Sequence, residues 1–273
     1  MTAQPTRPIL RWHGGKWMLA PWIIANLPPH RIYVEPFAGA ASVLMRKPLS
    51  YLEIINDLDL EVVNLFRVLR DESSSRELCR VLSLTPFSRE EFTQSYEVCD
   101  DPIERARRLV IRSFQGFGSN GHQRKTGWRN TTRRTGSSPA HDWANYPECL
   151  HAYTERLRPV AIENRDALEL IAQQDSPETL FYVDPPYVRS TRDAGRDYAH
   201  ELDERGHRDM AAVLHSCKGM VVLSGYACPL YDEQLFPDWH RLEREALADG
   251  AKKRTEVLWI NKAAMAARWG LGL

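Results

Sequence analysis

The sequence has no two cysteines close enough to form a CxxC unit. Its five, Cys79, Cys99, Cys149, Cys217 and Cys228, are scattered and odd in number. That argues against a disulfide frame or a thiolate zinc site. It fits reduced thiols acting as small buried hydrophobes in a cytoplasmic protein. No long apolar run is present, so no membrane span is expected. Residues 1–8 lack the apolar core of a secretory leader, and none is expected. The nine histidines show no HExxH spacing, and no metal is expected. There is no internal repeat, and the formal net charge of the 273 residues is +0.

What the chain does contain is strand and helix alternating at both of its ends. Residues 31–35 and 51–55 are β-branched and aromatic runs. Residues 61–69 have helical spacing, with Val62, Val63, Leu65, Phe66 and Leu69 on one side. Residues 160–163, 179–183, 220–224 and 256–260 read as further strands, and 206–215 as a helix. This order predicts an α/β fold with a parallel sheet. The middle differs. Residues 72–81, 89–98 and 103–114 read as short amphipathic helices, and 115–139 as a long polar loop. The reading is one sheet domain built from 1–70 and 158–273, with a mostly helical insert over 71–157.

Charge is segregated although its total is zero. Nine basic residues and no Asp or Glu fall between Arg105 and Arg134. Such a stretch is either a polyanion-binding surface or a solvated basic loop, and it does not separate DNA from RNA.

Three motifs carry chemistry. Asp184-Pro185-Pro186-Tyr187 follows a buried strand, where α/β folds place their ligands. Two prolines stiffen the backbone and remove two donors, leaving carbonyls as acceptors. The Asp184 carboxylate and the Pro185 carbonyl can each accept one N–H of a planar amine, and Tyr187 offers a flat face. The alternative is a tight turn with Asp184 as a helix cap. The second motif, Glu35-Pro36-Phe37-Ala38-Gly39, is an acid and a small-residue turn after a strand, without the GxGxxG of dinucleotide sites. An acid there repels phosphate and suits a cofactor bearing a positive charge, such as the ammonium of a methionine. Asn56-Asp57 could accept from ribose hydroxyls. The third, Arg11-Trp12-His13-Gly14-Gly15-Lys16, lacks the upstream glycine and the Ser or Thr of a P-loop, which argues against a nucleotide triphosphatase.

These segments occur together with Asn164-Arg165-Asp166, Leu223-Ser224-Gly225-Tyr226 and Arg254-Thr255-Glu256-Val257-Leu258. In content and order they resemble the DNA adenine N6-methyltransferase family, the α-class of amino-methyltransferases, over nearly the whole chain. Gly127-Trp128-Arg129-Asn130 is similar to phage-borne members. The resemblance implies a Rossmann-like, S-adenosylmethionine-dependent methyltransferase sheet with the insert as target-recognition domain. It implies S-adenosylmethionine bound by Trp12, Gly14, Lys16, Glu35, Phe37, Ala38, Gly39, Asp57, Asp166 and Asp184. Catalysis would fall to Asp184, Pro185, Pro186 and Tyr187, the tyrosine stacking on the base.

Double-stranded DNA is the expected partner, with its target base flipped out of the stack. Arg124, Lys125 and Arg129 are expected on phosphates and Asn120 on a base edge. Phe117 or Trp128 could fill the gap left by the base, with core packing the stronger expectation for either. GATC is one candidate target. No obligate protein partner is expected, and a cognate restriction enzyme would be separately encoded. The rival readings are a cytosine-N4 or RNA amino-methyltransferase and a catalytically silent DNA-binding protein.

Overall fold

The structure, a computed structural model, describes residues 4–121, 124–129, 138–192, 200–247 and 253–269. In chain order, α1 (Ala20–Ala25) leads into β1 (Ile32–Glu35), α2 (Ser42–Arg46), β2 (Leu52–Asn56) and α3 (Leu60–Arg70). Then come α4 (Glu72–Leu84), α5 (Arg89–Gln94), α6 (Pro102–Gln115), α7 (Pro139–Ala144) and α8 (Leu150–Leu157). Alternation returns with β3 (Val160–Glu163), α9 (Ala167–Gln174), β4 (Thr179–Val183), α10 (Glu204–Ser216) and β5 (Met220–Tyr226). The chain closes with β6 (His240–Leu247), β7 (Lys253–Ile260) and α11 (Lys262–Trp269).

The seven strands form one sheet in the order β3-β2-β1-β4-β5-β7-β6. The first five are mutually parallel, and β7 runs antiparallel to both β5 and β6. This meets the expectation of a Rossmann-like methyltransferase sheet. Alternate residues of the strands feed two cores, as a period of two requires. Tyr33, Leu180, Tyr182, Val222 and Leu258 face one side. Val34, Phe181, Val183, Val221 and Trp259 face the other. Leu78 and Leu82 of α4, Val110 and Phe114 of α6, and Tyr153 and Leu157 of α8 share the first core. Helices α4, α6 and α8 pack on α3 and share one continuous core with that face of the sheet.

Polar caps start these helices. Asp59, Asp71, Ser88, Asp101, Ser138, Asp166 and Asp203 each accept a backbone N–H of the first turn. Each such cap is worth about 1 kcal/mol. At the N-terminal end of the sheet, Glu53 is 1% exposed. Its carboxylate takes Arg156 of α8 at 2.5 Å and Lys47 at 2.6 Å. Arg156 also donates to the Leu44 carbonyl at 2.7 Å, so the cluster ties α8 to β2 and α2.

The strand β6 departs from the sequence reading. Its residues, His-Arg-Leu-Glu-Arg-Glu-Ala-Leu, are strongly charged and rich in helix formers. Pairing with β7 over eight positions overrides that propensity. As an edge strand it places charge in water, which protects the edge from further pairing. The expected loop over 115–139 ends at Pro139, where α7 begins, and α8 follows it.

Candidate active site

The strand order reverses between β1 and β4, which opens a crevice beyond the C-terminal ends of those strands. An acid stands at or just past each of four neighbouring strand ends: Asp166 after β3, Asp57 after β2, Glu35 on β1 and Asp184 after β4. A cavity here is walled on one side by Trp12, Gly14 and Lys16, and on another by Glu35, Phe37, Ala38 and Gly39. Asp57, Asp184, Pro185 and Pro186 complete it. Asp166 is exposed instead, and its Oδ1 caps α9 by accepting from Leu168 at 2.8 Å and Glu169 at 3.1 Å. Its neighbour Ala167 reaches the cavity wall.

The turn after β1 is built for close approach. Gly39 has φ +48°, and a Cβ there would lie 2.5 Å from the Trp12 indole nitrogen. Gly39 N–H donates to Asp57 Oδ2 at 2.7 Å, and Asp59 N–H donates to Oδ1 at 2.9 Å. Asn56 is a clasp: its amide donates to the Pro36 and Arg165 carbonyls at 2.9 and 3.0 Å, tying three strand ends together. Burial pushes the Asp57 carboxyl up to about 6. Glu35 is 2% exposed, accepts from Tyr33 Oη and Leu44 N–H at 2.7 Å each, and is pushed by burial to about 7. Asp184 nearby adds to that rise.

Asp184 is held from two sides. Ser224 of β5 donates to Oδ1 at 2.8 Å, and Lys16 Nζ lies 2.9 Å from Oδ2. Lys16 is 5% exposed, donates to the Gly14 carbonyl at 2.6 Å and stands 3.7 Å from Glu256 Oε1. Tyr187 is 5% exposed and sits behind the cavity wall. Its hydroxyl donates to Glu256, its ring meets Tyr226 edge-on at 4.7 Å, and Lys16 Nζ lies 4.7 Å from the ring centre.

Residues 12–248 match the model of the D12 class of N6 adenine-specific DNA methyltransferases. The chain belongs to this family. It is 24% identical over 249 residues to the DNA adenine methylase of Salmonella typhimurium, covering 87% of this chain and 85% of that one. The DNA adenine methylase of Escherichia coli K12 is 25% identical over 188 residues, 67% of this chain and 65% of the relative. A type II methyltransferase of Lactococcus lactis subsp. cremoris, M1.LlaDCHI, is 26% identical over 93% of this chain and 95% of its own length. This is therefore an adenine-specific DNA methyltransferase.

In the methyltransferase the basic stretch splits in two. Arg105, Arg107, Arg108 and Arg112 lie on α6, where Glu61, Glu91 and Glu104 neutralise them at 2.6 to 3.8 Å. The acids lie outside the residues 105–134 window, so counting within it overstated the free positive charge. Arg124 and Lys125 are exposed, and Arg129 is half-buried. Asn120 is 7% exposed and lies inside the loop that carries them. Arg133, Arg134 and Asn130 fall outside the described residues.

The described residues of this loop, 116–121 and 124–129, are seated against the end of α6. A Cβ on Gly116 or Gly121 would meet the Arg112 carbonyl at 2.5 or 2.3 Å, so both glycines allow it to close on the end of α6. Tyr96 Oη donates to the Gly121 carbonyl at 3.1 Å, and Gln115 anchors the other side through Ser88 and Pro86. Trp128 packs on Phe87 at 5.2 Å, whereas Phe117 is 72% exposed.

The sequence reading passed over Ser224 and Glu256 as functional groups, although both stand in quoted motifs. Nothing in one dimension says that β7 enters beside β5 and aims Glu256 at Lys16. His200, Glu201 and Leu202 also line the cavity and come from a stretch with no motif signal. Among the described residues, no group of His, Cys, Asp and Glu is arranged to hold a metal, and no helix is long and apolar enough to cross a membrane.

Proposed function

We propose that this methyltransferase takes its methyl group from S-adenosylmethionine and delivers it to N6 of an adenine flipped out of duplex DNA, with Asp184 as the principal catalytic residue. The observation that carries the reading is the Asp184 carboxylate at the cavity, held by Lys16 at 2.9 Å and Ser224 at 2.8 Å. The cavity residues fit such a donor. Buried Glu35 is the counter-charge for a cation, Asp57 can accept from ribose hydroxyls, and the acids disfavour a phosphate-bearing cofactor. Trp12, Gly14, Lys16, Phe37, Ala38 and Gly39 would frame it. When bound, S-adenosylmethionine supplies an electrophilic methyl on a sulfonium.

The remaining work falls to the protein. The N6 lone pair of adenine is conjugated with the ring and is a poor nucleophile. Asp184 and the Pro185 carbonyl accept the two amino hydrogens, which draws the nitrogen toward tetrahedral geometry and frees the lone pair. Pro185 and Pro186 hold that carbonyl in a stiff backbone. Tyr187 is anchored behind the cavity wall, and stacking requires its ring to reach the base once DNA is bound. Orientation of this kind is worth on the order of 7–11 kcal/mol when reacting groups are well aligned.

Residues 71–157 act as the target-recognition region in this reading. Arg124, Lys125 and Arg129 engage phosphates, and Asn120 contributes to base contact from within the loop. Phe117, apolar and in water, is the better placed of the two aromatics to enter the gap left by the base. DNA as substrate fits a cytoplasmic enzyme, bacterial or phage-encoded, with a separately encoded restriction enzyme as one biological counterpart. The test is Asp184→Ala. Binding of S-adenosylmethionine retained with transfer abolished supports the role, whereas near-normal turnover overturns it.

A further inference from the structure

Two buried carboxylates of this chain are treated very differently. Glu53 holds two cations, each within about 2.6 Å. Glu256, 3% exposed on β7, has among the described residues an ion pair with Lys16, 3.7 Å away and closer to Asp184. A buried carboxylate so loosely compensated is costly to keep, and burial raises its pKa. What Glu256 does have is a hand on both ends of the catalytic segment. It accepts the Tyr187 hydroxyl, and it shares the ammonium that also holds Asp184.

We propose that Glu256 is a positioning residue for methyl transfer, holding Lys16 and Tyr187 so that the Asp184 carboxylate and the Pro185 carbonyl stay aimed and receptive. This rests on the role assigned to Asp184 above. Asp184 is pinned by Ser224 and Lys16, and Tyr187 by Glu256, so the Pro185 carbonyl lies between two fixed points. The Lys16 ammonium is divided between two acids. Remove the charge of Glu256 and Lys16 acts on Asp184 alone, which weakens that carboxylate as an acceptor for the amino hydrogens. Glu256 is not among the residues that line the cavity, whereas Lys16 is, so Glu256 acts through its neighbours.

Glu256→Gln isolates the charge, since the amide carbonyl can still accept from Tyr187. The expected result in single-turnover methyl transfer to duplex DNA is a rate loss of about tenfold or more, with Kd for S-adenosylmethionine and for DNA within about twofold of wild type. Glu256→Asp, which restores the charge, should recover most of the rate. A Glu256→Gln rate within about twofold of wild type overturns the proposal, as does a loss confined to cofactor affinity. If Glu256→Gln does not fold, Tyr187→Phe, which removes the hydroxyl that Glu256 accepts and keeps the ring, decides: a slowed rate with unchanged affinities supports the proposal, and a wild-type rate overturns it. A wild-type chain that binds S-adenosylmethionine yet methylates no DNA would overturn the assigned reaction, and this inference with it. An active wild type with an equally active Glu256→Gln overturns the inference alone.

Discussion

The two ends of the sheet are both charged and buried, and they are balanced in opposite ways. At the N-terminal end one acid, Glu53, meets two cations, Lys47 and Arg156. At the C-terminal end Asp184 and Glu256 share one cation, Lys16, while Glu35 lies buried nearby without a cation among its hydrogen-bond partners. The first arrangement is saturated and ties α8 to the strands. Among the described residues, the second has more acids than the cation they share. Such an end is stabilised by a cationic ligand, and perturbed acids in a cleft are a mark of function. Stability is concentrated at one end of the same strands and chemistry at the other.

The largest expected break of this contrast is at the saturated end. Arg156→Met strips one cation from buried Glu53 and should lower stability by about 3–5 kcal/mol, read from chemical denaturation. The folded fraction should keep nearly normal turnover. A large loss of turnover without loss of stability would blur the distinction between the two ends.

The second break is at Glu35, and it should go the other way. An acid whose pKa is raised to about 7 from an ordinary 4.5 makes the folded protein less stable as pH rises between those values. Glu35→Gln should therefore stabilise the ligand-free protein at pH 8 by roughly 1–3 kcal/mol. Its affinity for S-adenosylmethionine should fall by about tenfold or more. Calorimetry of both quantities checks the pair, and a variant that binds normally would remove Glu35 from the cofactor's cation site.

The same sign can be sharpened without mutation. Cofactor affinity in the wild type should weaken roughly tenfold as pH falls from 7.5 to 6, because protonated Glu35 no longer offers a charge. In Glu35→Gln the dependence should shrink to the roughly twofold change that Asp57, with its carboxyl at about 6, still contributes. The smallest effect is expected on the surface. Arg124→Ala and Lys125→Ala should each weaken DNA binding several-fold and reduce the salt slope of log Kd by about one unit. An unchanged slope would take that residue off the phosphates.

Much of this was legible in one dimension because strands and motif residues are local. Val34, Phe181 and Val221 announce buried strands by their type, and Glu35, Asp57 and Asp184 follow strands where parallel sheets present ligands. What escaped was set by partners distant in sequence. His240 to Leu247 is a strand only because β7 lies beside it. The arginines of α6 look like a DNA surface until Glu61 and Glu91 are folded against them. Asp166 caps its own helix, and Glu256 matters through Lys16, a residue at the other end of the chain.

The most direct measurement is transfer of labelled methyl from S-adenosylmethionine to unmethylated duplex DNA, followed by nucleoside analysis of the product. N6-methyladenine as the labelled nucleoside, absent with Asp184→Ala, is the predicted result. Label in N4-methylcytosine, or undiminished label with Asp184→Ala, would contradict the account.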